Sequence, residues 1–295
     1  MEQQDAVPME WWEEDAASTP AEIRRRHVAN KASWERAAAH YTDQVDDDIA
    51  LLRSGASTVH PIERDLLTQH AGPLTQWCGL AVHLQCASGR DTLSLLNEGA
   101  RRVVGIDIAE AHVRNARRKT AALAAAATFH CCDVLDAPRE LDGNVDLVYT
   151  GRGAIGWLHD LDGWARVVAR LLAPGGWLSL FDDHPASHLF DADADHLAYS
   201  GVDYFHGSSA GYGFSQSFVD HLGIPADEAL LTHDRLWTFA DLFAAITDAG
   251  LRIVHLGEHP EPYWDPFPNL PDHLQCRIPQ TFSILARQGD RPCRS

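Results

Sequence analysis

The sequence predicts an α/β fold, a mostly parallel sheet covered by helices on both faces, and three observations predict it. From about Leu80 onward, short apolar runs alternate with amphipathic stretches, the pattern of strands buried on both faces and joined by crossover helices. Residues 81–118, AVHLQCASGRDTLSLLNEGARRVVGIDIAEAHVRNARR, read as a strand, a tight turn, a helix and a second strand. Pro174-Gly175-Gly176 then stops a helix directly before another apolar run. With 295 residues, 45% of them hydrophobic, the chain can bury a full core as one elaborated domain with appendages.

Residues 1–17 are acidic and expected to be frayed, despite Trp11 and Trp12. Between Pro20 and about Ser54, Val28, Trp34, Ala38 and Tyr41 fall at helical intervals, which predicts one or two helices ahead of the core. The run Asp46-Asp47-Asp48 reads as a solvated helix face. Pro61 opens a further helix that Gly72-Pro73 ends. Residues 1–72 are therefore expected to form an N-terminal extension and helical cap, and residues 73–295 the core. Strands are predicted over residues 81–84, 102–107, 128–132, 146–149 and 176–181, with helices over 91–98, 109–126 and 161–172. After Phe181 the alternation breaks. Residues 182–237 are rich in His, Asp, Gly and Tyr without a steady period, which predicts a lid inserted after the fifth strand. A capped helix over 238–249 and strands over 251–256 and 282–287 complete the fold. The prolines of HPEPYWDPFPNLP forbid a central strand between those last two.

Forty-two acidic against twenty-four basic residues give a net charge of −18, which opposes binding to nucleic acid or an anionic membrane surface. A small-molecule partner fits better, with a homodimer allowed as the assembly. No run approaches the roughly 18 apolar residues of a membrane span. The opening MEQQDAVPMEWWEEDA is acidic where a signal peptide is basic and then apolar, so a cytoplasmic location is expected. The six cysteines, Cys78, Cys86, Cys131, Cys132, Cys276 and Cys293, show no CxxC pair. They read as reduced core residues, except Cys86, whose place in the turn makes it an expected ligand neighbour.

The strand–turn–helix–strand unit suits a nucleoside, with Asp107, eighteen residues past Gly89, placed to accept from ribose hydroxyls. A dinucleotide turn needs glycines at three offsets, and residues 86–91, CASGRD, supply one. NAD is therefore disfavoured. Asp133 closes the third strand, where its carboxylate can accept from an adenine amino group while the Val134 N–H meets a ring nitrogen. The alternative for both aspartates is capping of the helix or turn that follows.

The ordered set GIDI, CDV, DLVYT and LLAPGGWLSL resembles class I S-adenosylmethionine (SAM)-dependent methyltransferases. More narrowly, HLQCASGRDTLSL, with HLGEHPEP and IPQTFSILARQ, looks like a bacterial small-molecule branch whose first motif reads Leu-Gln-Cys-x-x-Gly-x-Asp-Thr. The resemblance implies a seven-stranded Rossmann-like sheet and SAM as cofactor. It places Gln85, Cys86, Gly89 and the motif's Asp91 along the methionine and ribose side, Asp107 on the ribose, and Ile108 against the adenine. Asp133 and Val134 fall at the adenine edge, Thr150 and Gly151 near the sulfonium. Asn30, Trp34 and Tyr41 look like the element that covers the methionine in related enzymes, although Trp34 and Tyr41 also suit simple anchoring of the helix. His83 stands where the family usually has an acid, and Ala87 where it usually has glycine.

Methyl transfer is an in-line displacement, so the protein supplies mainly proximity and alignment, and a base only if the nucleophile carries a proton. Ligands meet beyond the carboxyl ends of the strands, which points to Arg152 and Trp157 after the fourth strand and Asp182, Asp183 and His184 after the fifth. His184 is the expected general base, with a hydrogen-bonded structural histidine as the alternative; Asp182 and Asp183 are placed to orient it or to bind a cationic substrate group, and Arg152 either pairs with a substrate carboxylate or phosphate or forms a salt bridge within the protein. Tyr204 and Tyr212 in the lid are expected to wall the acceptor pocket, together with other aromatics such as Phe214, Tyr263 and Trp264. His184 and His188 with nearby aspartates fit no fixed metal motif, and Pro185 breaks the helix that would align them, so no metal is expected. Two alternatives stay open: a SAM-using enzyme that does not transfer methyl, such as one cyclising the aminobutyryl chain, and a non-catalytic nucleotide-binding module.

Overall fold

The chain begins, in a computed structural model that describes residues 11–214 and 229–289, with a short strand, β1 (Trp11–Glu13). Helix α1 (Pro20–Ala37) starts where Thr19 and Glu22 cap it reciprocally: the Thr19 hydroxyl accepts the Glu22 N–H at 3.2 Å and the Glu22 carboxylate accepts the Thr19 N–H at 3.0 Å. Helices α2 (Val45–Arg53), α3 (Pro61–Ala71) and the single turn α4 (Leu74–Trp77) complete the N-terminal part. The core then runs β2 (Ala81–Leu84), α5 (Arg90–Asn97), β3 (Val103–Asp107), α6 (Glu110–Leu123), β4 (Ala127–Cys131), β5 (Val145–Gly151), α7 (Leu161–Leu171) and β6 (Leu172–Asp183). Strands β7 (Ser208–Tyr212) and β8 (Leu231–Arg235) precede α8 (Phe239–Asp248), β9 (Leu251–His259), α9 (Asp272–Gln275) and β10 (Thr281–Gln288).

Seven strands form the main sheet in the order β4-β3-β2-β5-β6-β10-β9. The first five are parallel, and β10 inserts antiparallel between β6 and β9. Because β3 and β4 step one way from β2 while β5 and β6 step the other, the strand order reverses between β2 and β5. That reversal opens a crevice at the carboxyl ends of the two strands. Helices α7 and α8 bury Trp164, Val168, Leu242 and Ile246 against one face, and α5 and α6 bury Leu93, Val113 and Ala116 on the other with Phe129. No helix among the described residues is long and apolar enough to cross a membrane.

Two departures from the sequence reading matter. Trp11–Glu13 is not frayed: it pairs with β7, and β7 with β8, in a separate three-stranded antiparallel sheet. The lid is thus partly a small sheet rather than an irregular loop, and its residues 215–228, like Cys293, lie outside the described residues. Helix α1 seats on β8 through Asn30, whose side chain donates to the His233 carbonyl at 2.8 Å and accepts its N–H at 2.7 Å, as a neighbouring strand would. The acidic run on α2 also departs from a solvated face. Asp48 is buried and accepts from the fully buried Lys119 Nζ at 2.5 Å, while the same ammonium donates to the Ser88 carbonyl at 2.9 Å.

That lysine ties the cap, α6 and the turn after β2 together. Removing one partner of a buried pair strands the other charge, at about 3–5 kcal/mol. Lys119→Met is expected to lower unfolding stability by that amount in a urea titration, and Lys119→Met with Asp48→Leu to recover most of it; equal losses in both would mean the pair contributes through packing alone.

Candidate active site

At the reversal, β2 runs into a turn with three residues in left-handed conformation, Gln85 (φ 56°), Ala87 (φ 44°) and Gly89 (φ 74°). Such a turn bends sharply enough to launch α5 from the strand end. Glycine is required at 89 for a packing reason, because a Cβ there would sit 2.7 Å from Ala116 Cβ and from the Phe129 ring. Cys86 turns the same way. Its thiol lies buried with Leu93, Val113 and Phe129, and burial raises its pKa, so the side chain is a core group and leaves only its backbone to a ligand. This corrects the expectation that Cys86 borders the ligand. His83 is buried with Nδ1 2.9 Å from the Thr92 hydroxyl, and burial pushes it down to about 4, so it is neutral.

Asp107 accepts the Ala87 N–H on one oxygen at 2.8 Å and the Ala109 N–H on the other at 2.9 Å. A carboxylate has about four acceptor positions, so two remain for hydroxyl groups. Burial, only partly offset by these amides, raises its pKa to about 6. Gln85 donates through Nε2 to the Ala154 carbonyl at 2.7 Å, and its buried Oε1 has no partner among the described residues. Thr150 Oγ1, on the adjoining end of β5, is likewise buried and unpartnered. After it, Gly151 is obligatory, since a Cβ would lie 1.9 Å from the Phe181 carbonyl oxygen. Asp182 then fastens residues 153–155, accepting the N–H groups of Gly153 at 2.5 Å, Ala154 at 3.2 Å and Ile155 at 3.0 Å.

The edge at the end of β4 is more crowded than the sequence implied. Asp133 accepts the Leu135 N–H at 2.9 Å, as a turn aspartate does, and its other oxygen meets His27 Nδ1 at 2.7 Å and Arg24 at 2.9 Å. One acceptor position is left for an adenine amino group. Burial acts to raise the Asp133 pKa, but the hydrogen bond from His27 and the nearby cation outweigh it and hold the group low. Val134 is buried beside it and Ile108 half-buried. His27 Nε2 accepts the His159 N–H at 3.1 Å, which fixes the His27 proton on Nδ1.

Trp34, Tyr41 and Trp157 pack together around Ala37 and Phe214. Trp34 packs against Phe214 (4.7 Å between ring centres), Trp157 (5.3 Å) and His112 (5.9 Å), and Tyr41 against His112 at 5.1 Å. Sequence reasoning passed over His112 and His27. His112 shares a helix face with Asn115, Ala116 and Lys119, all buried, and a histidine on such a buried stripe was the available signal.

Several site expectations are corrected by the contacts these residues make. His184 accepts the Ala186 N–H on Nδ1 at 3.0 Å, so its Nε2 carries the proton and donates to Glu258 at 2.8 Å. With neither nitrogen offering a lone pair, it is a structural residue and not a general base. Arg152 is committed to Asp91 and the Tyr149 hydroxyl, each at 3.0 Å, and to the Thr58 carbonyl at 3.0 Å. Asp91 is committed in turn to Arg152 and the Thr58 hydroxyl, which makes the two a buried pair behind the turn rather than ligand contacts. Asp183 accepts from the Tyr263 hydroxyl at 2.6 Å and Trp264 Nε1 at 3.2 Å, so it anchors the proline-punctuated loop. Tyr204, half-buried, packs on the exposed Phe205, and Tyr212, 53% exposed, packs on Trp12 and so faces outward instead of lining a pocket. A separate surface cavity of about 430 Å³, lined by Ile23, Arg24, Leu135, Arg139, Arg166 and Arg170 among others, lies between α1 and α7. Asp136, Asp142 and Asp160 pair its arginines.

Comparison with known proteins agrees with this geometry. Residues 81–176 match the family model described as a methyltransferase domain. No curated protein matches the chain. Among solved structures, a candidate SAM-dependent methyltransferase from Listeria monocytogenes is 19% identical, with a TM-score of 0.57 over 77% of this chain and 98% of that one. A SAM-dependent methyltransferase from Mesorhizobium loti is 21% identical, with a TM-score of 0.56 over 77% and 96%. Geranyl diphosphate C-methyltransferase from Streptomyces coelicolor A3(2), solved with Mg2+, geranyl-S-thiolodiphosphate and S-adenosyl-L-homocysteine, is 14% identical, with a TM-score of 0.52 over 77% and 75%. At these identities the likeness shows the fold.

The buried histidines carry a pH signature. His159 donates through Nε2 to the His233 carbonyl at 3.3 Å, and burial, with His27 nearby, pushes its pKa down to about 3 from 6.5. A depressed histidine adds stability above the unfolded value that is lost as pH falls toward the folded one. Between pH 7 and 5 that loss is about 2 kcal/mol. His159→Gln is expected to flatten the fall in urea midpoint over that interval by a comparable amount; an unchanged pH slope would remove His159 as its source.

Proposed function

We propose that this chain, whose residues 81–176 are a methyltransferase domain on the fold of SAM-dependent methyltransferases, carries a methyl group from SAM to a small-molecule acceptor. The observation that carries the reading is the row of open acceptors along one sheet edge. Among the described residues, Gln85 Oε1 and Thr150 Oγ1 are buried without partners at the ends of the two strands flanking the reversal, and Asp107 keeps two acceptor positions one strand away. Buried polar atoms are normally satisfied, so this edge suits a ligand rich in hydroxyl and amino donors.

The residues fit SAM in order. Asp107 would hold the ribose hydroxyls, Ile108 and Val134 the faces of the adenine, and the remaining position on Asp133 the adenine amino group. Trp34, Tyr41 and Trp157 would cover the methionine and sulfonium, where aromatic faces stabilise a cation. When bound, SAM supplies an electrophilic methyl group and a neutral leaving group. The chain's part is alignment and exclusion of water, with residues 153–155 held by Asp182 beside the path of transfer. With His184 engaged on both nitrogens, the reading assigns no general base and favours an acceptor that arrives already nucleophilic. The net charge of −18 and the substrate-bound geranyl diphosphate enzyme on the same fold support a small acceptor.

Asp107→Ala is expected to weaken SAM binding roughly 10- to 100-fold, the loss of hydrogen bonds to a charged group. Isothermal calorimetry on a variant shown by circular dichroism to be folded measures this, and unchanged affinity would count against the placement. Incubating the protein with methyl-labelled SAM and a metabolite extract should move label into a small organic product. Label that stays wholly in the cofactor fragment would favour a SAM reaction other than methyl transfer.

A further inference from the structure

His112 stands one turn into α6, past Asp107, and is 1% exposed. Its Nδ1 lies 2.7 Å from the Ser88 hydroxyl, and its Nε2 is buried with no partner among the described residues. The proton positions follow from Ser88. That buried hydroxyl has one hydrogen-bond partner among the described residues, the His112 nitrogen, so its hydrogen must point there if it is to be satisfied. Nδ1 is then the acceptor, and Nε2 carries the hydrogen. Burial, with the Lys119 ammonium nearby, pushes the ring down to about 4, so at neutral pH it is an uncharged donor.

Where that donor sits is set by three elements. Ser88 belongs to the turn after β2, Tyr41 meets the imidazole edge-on at 5.1 Å, and Trp34 tilts against it at 5.9 Å. A buried, unpartnered hydrogen-bond donor packed among aromatic rings suits a zwitterionic group: the anionic oxygen takes the N–H and the cationic part lies against the ring faces. Resting on the SAM reading above, we propose that His112 is a cofactor-binding residue whose Nε2–H donates to the carboxylate of the methionine end of SAM. Ser88 is the positioning residue that holds the donating tautomer. The assignment gives the buried, orphaned nitrogen a partner and explains why a polar side chain occupies an otherwise packed stripe of α6.

Calorimetry with SAM and decarboxylated SAM, which differ only in that carboxylate, tests it. Wild type is expected to bind SAM at least about tenfold more tightly than the decarboxylated form. His112→Phe should bring SAM down to the decarboxylated level while leaving the latter within about twofold, and Ser88→Ala should give a smaller change of the same kind. If His112→Phe does not fold, His112→Leu supplies the same ratio. Parallel weakening of both ligands, or no weakening of either, would overturn the role of His112 and leave the SAM reading standing. A folded wild type that binds neither ligand would overturn both.

Discussion

One buried carboxylate, Asp107, joins the two pieces of backbone that every other feature of the sheet edge is built on. Its oxygens bridge the Ala87 N–H in the turn after β2 and the Ala109 N–H at the start of α6. Left unmet in a buried place, each amide would cost about 1–3 kcal/mol. The bridge also holds Ala87 in a left-handed conformation that disfavours a side chain by about 1–2 kcal/mol. The turn's position, the direction of α6 and the place of His112 all follow from it. The counterpart across the reversal is Asp182, which collects four backbone N–H groups from residues 153–155 and 183. Two aspartates, one from each half of the sheet, thus stiffen the two walls of one crevice.

The cap is held differently. The residues that α1 buries are His27, Asn30, Ser33 and Ala37, a polar seam rather than an apolar stripe. Beside the packing of Trp34 and Ala37 with Phe214 and Trp157, its contacts are hydrogen bonds and ion pairs: Asn30 to the His233 backbone, His27 to Asp133 and the His159 N–H, and Arg26 with Glu14 and Ser208. Each nets about 0.5–1.5 kcal/mol, because water replaces it when the surfaces part. A core helix such as α7, which buries Leu161, Trp164, Val167, Val168 and Leu171, has no such replacement. The cap therefore ranks among the elements that open before the core does. Since α1 carries Trp34 and covers Asp133, its opening uncovers both ends of the crevice at once.

The fold was legible because the signals that encode it are local: apolar runs of strand length, helices of 3.6 period between them, and punctuation by Pro-Gly-Gly. The positions of Asp107, Gln85 and Thr150 were legible for a related reason, since the ends of β3, β2 and β5 converge in any sheet of this topology. The acceptor side was not. Whether His184 offers a lone pair depends on the Ala186 amide and on Glu258, which arrives from β9 seventy-four residues later. Arg152 is claimed by Asp91, and by Thr58 from the segment before α3. Such pairings are made by tertiary contact between elements whose separations follow no period. The pairing of Trp11–Glu13 with β7 was hidden likewise, because a three-residue strand has too little pattern to outweigh its acidic neighbours.

The electrostatics of the crevice bear on which ligand belongs there. Burial raises Asp107 to about 6 and raises Asp182 and Asp183 as well, so the sheet edge holds carboxylates whose charge the protein stabilises poorly. The adjacent cations are already spent: Lys119 on Asp48, Arg152 on Asp91, Arg24 on Asp136 and Asp133. An anionic ligand would meet unrelieved repulsion there. A ligand bearing net positive charge would lower these pKa values and recover part of the desolvation penalty the fold has incurred. SAM, with a sulfonium and an ammonium against one carboxylate, has that charge. On the proposed reading, the demethylated product, which lacks the sulfonium, would be held less firmly by the same carboxylates than the cofactor.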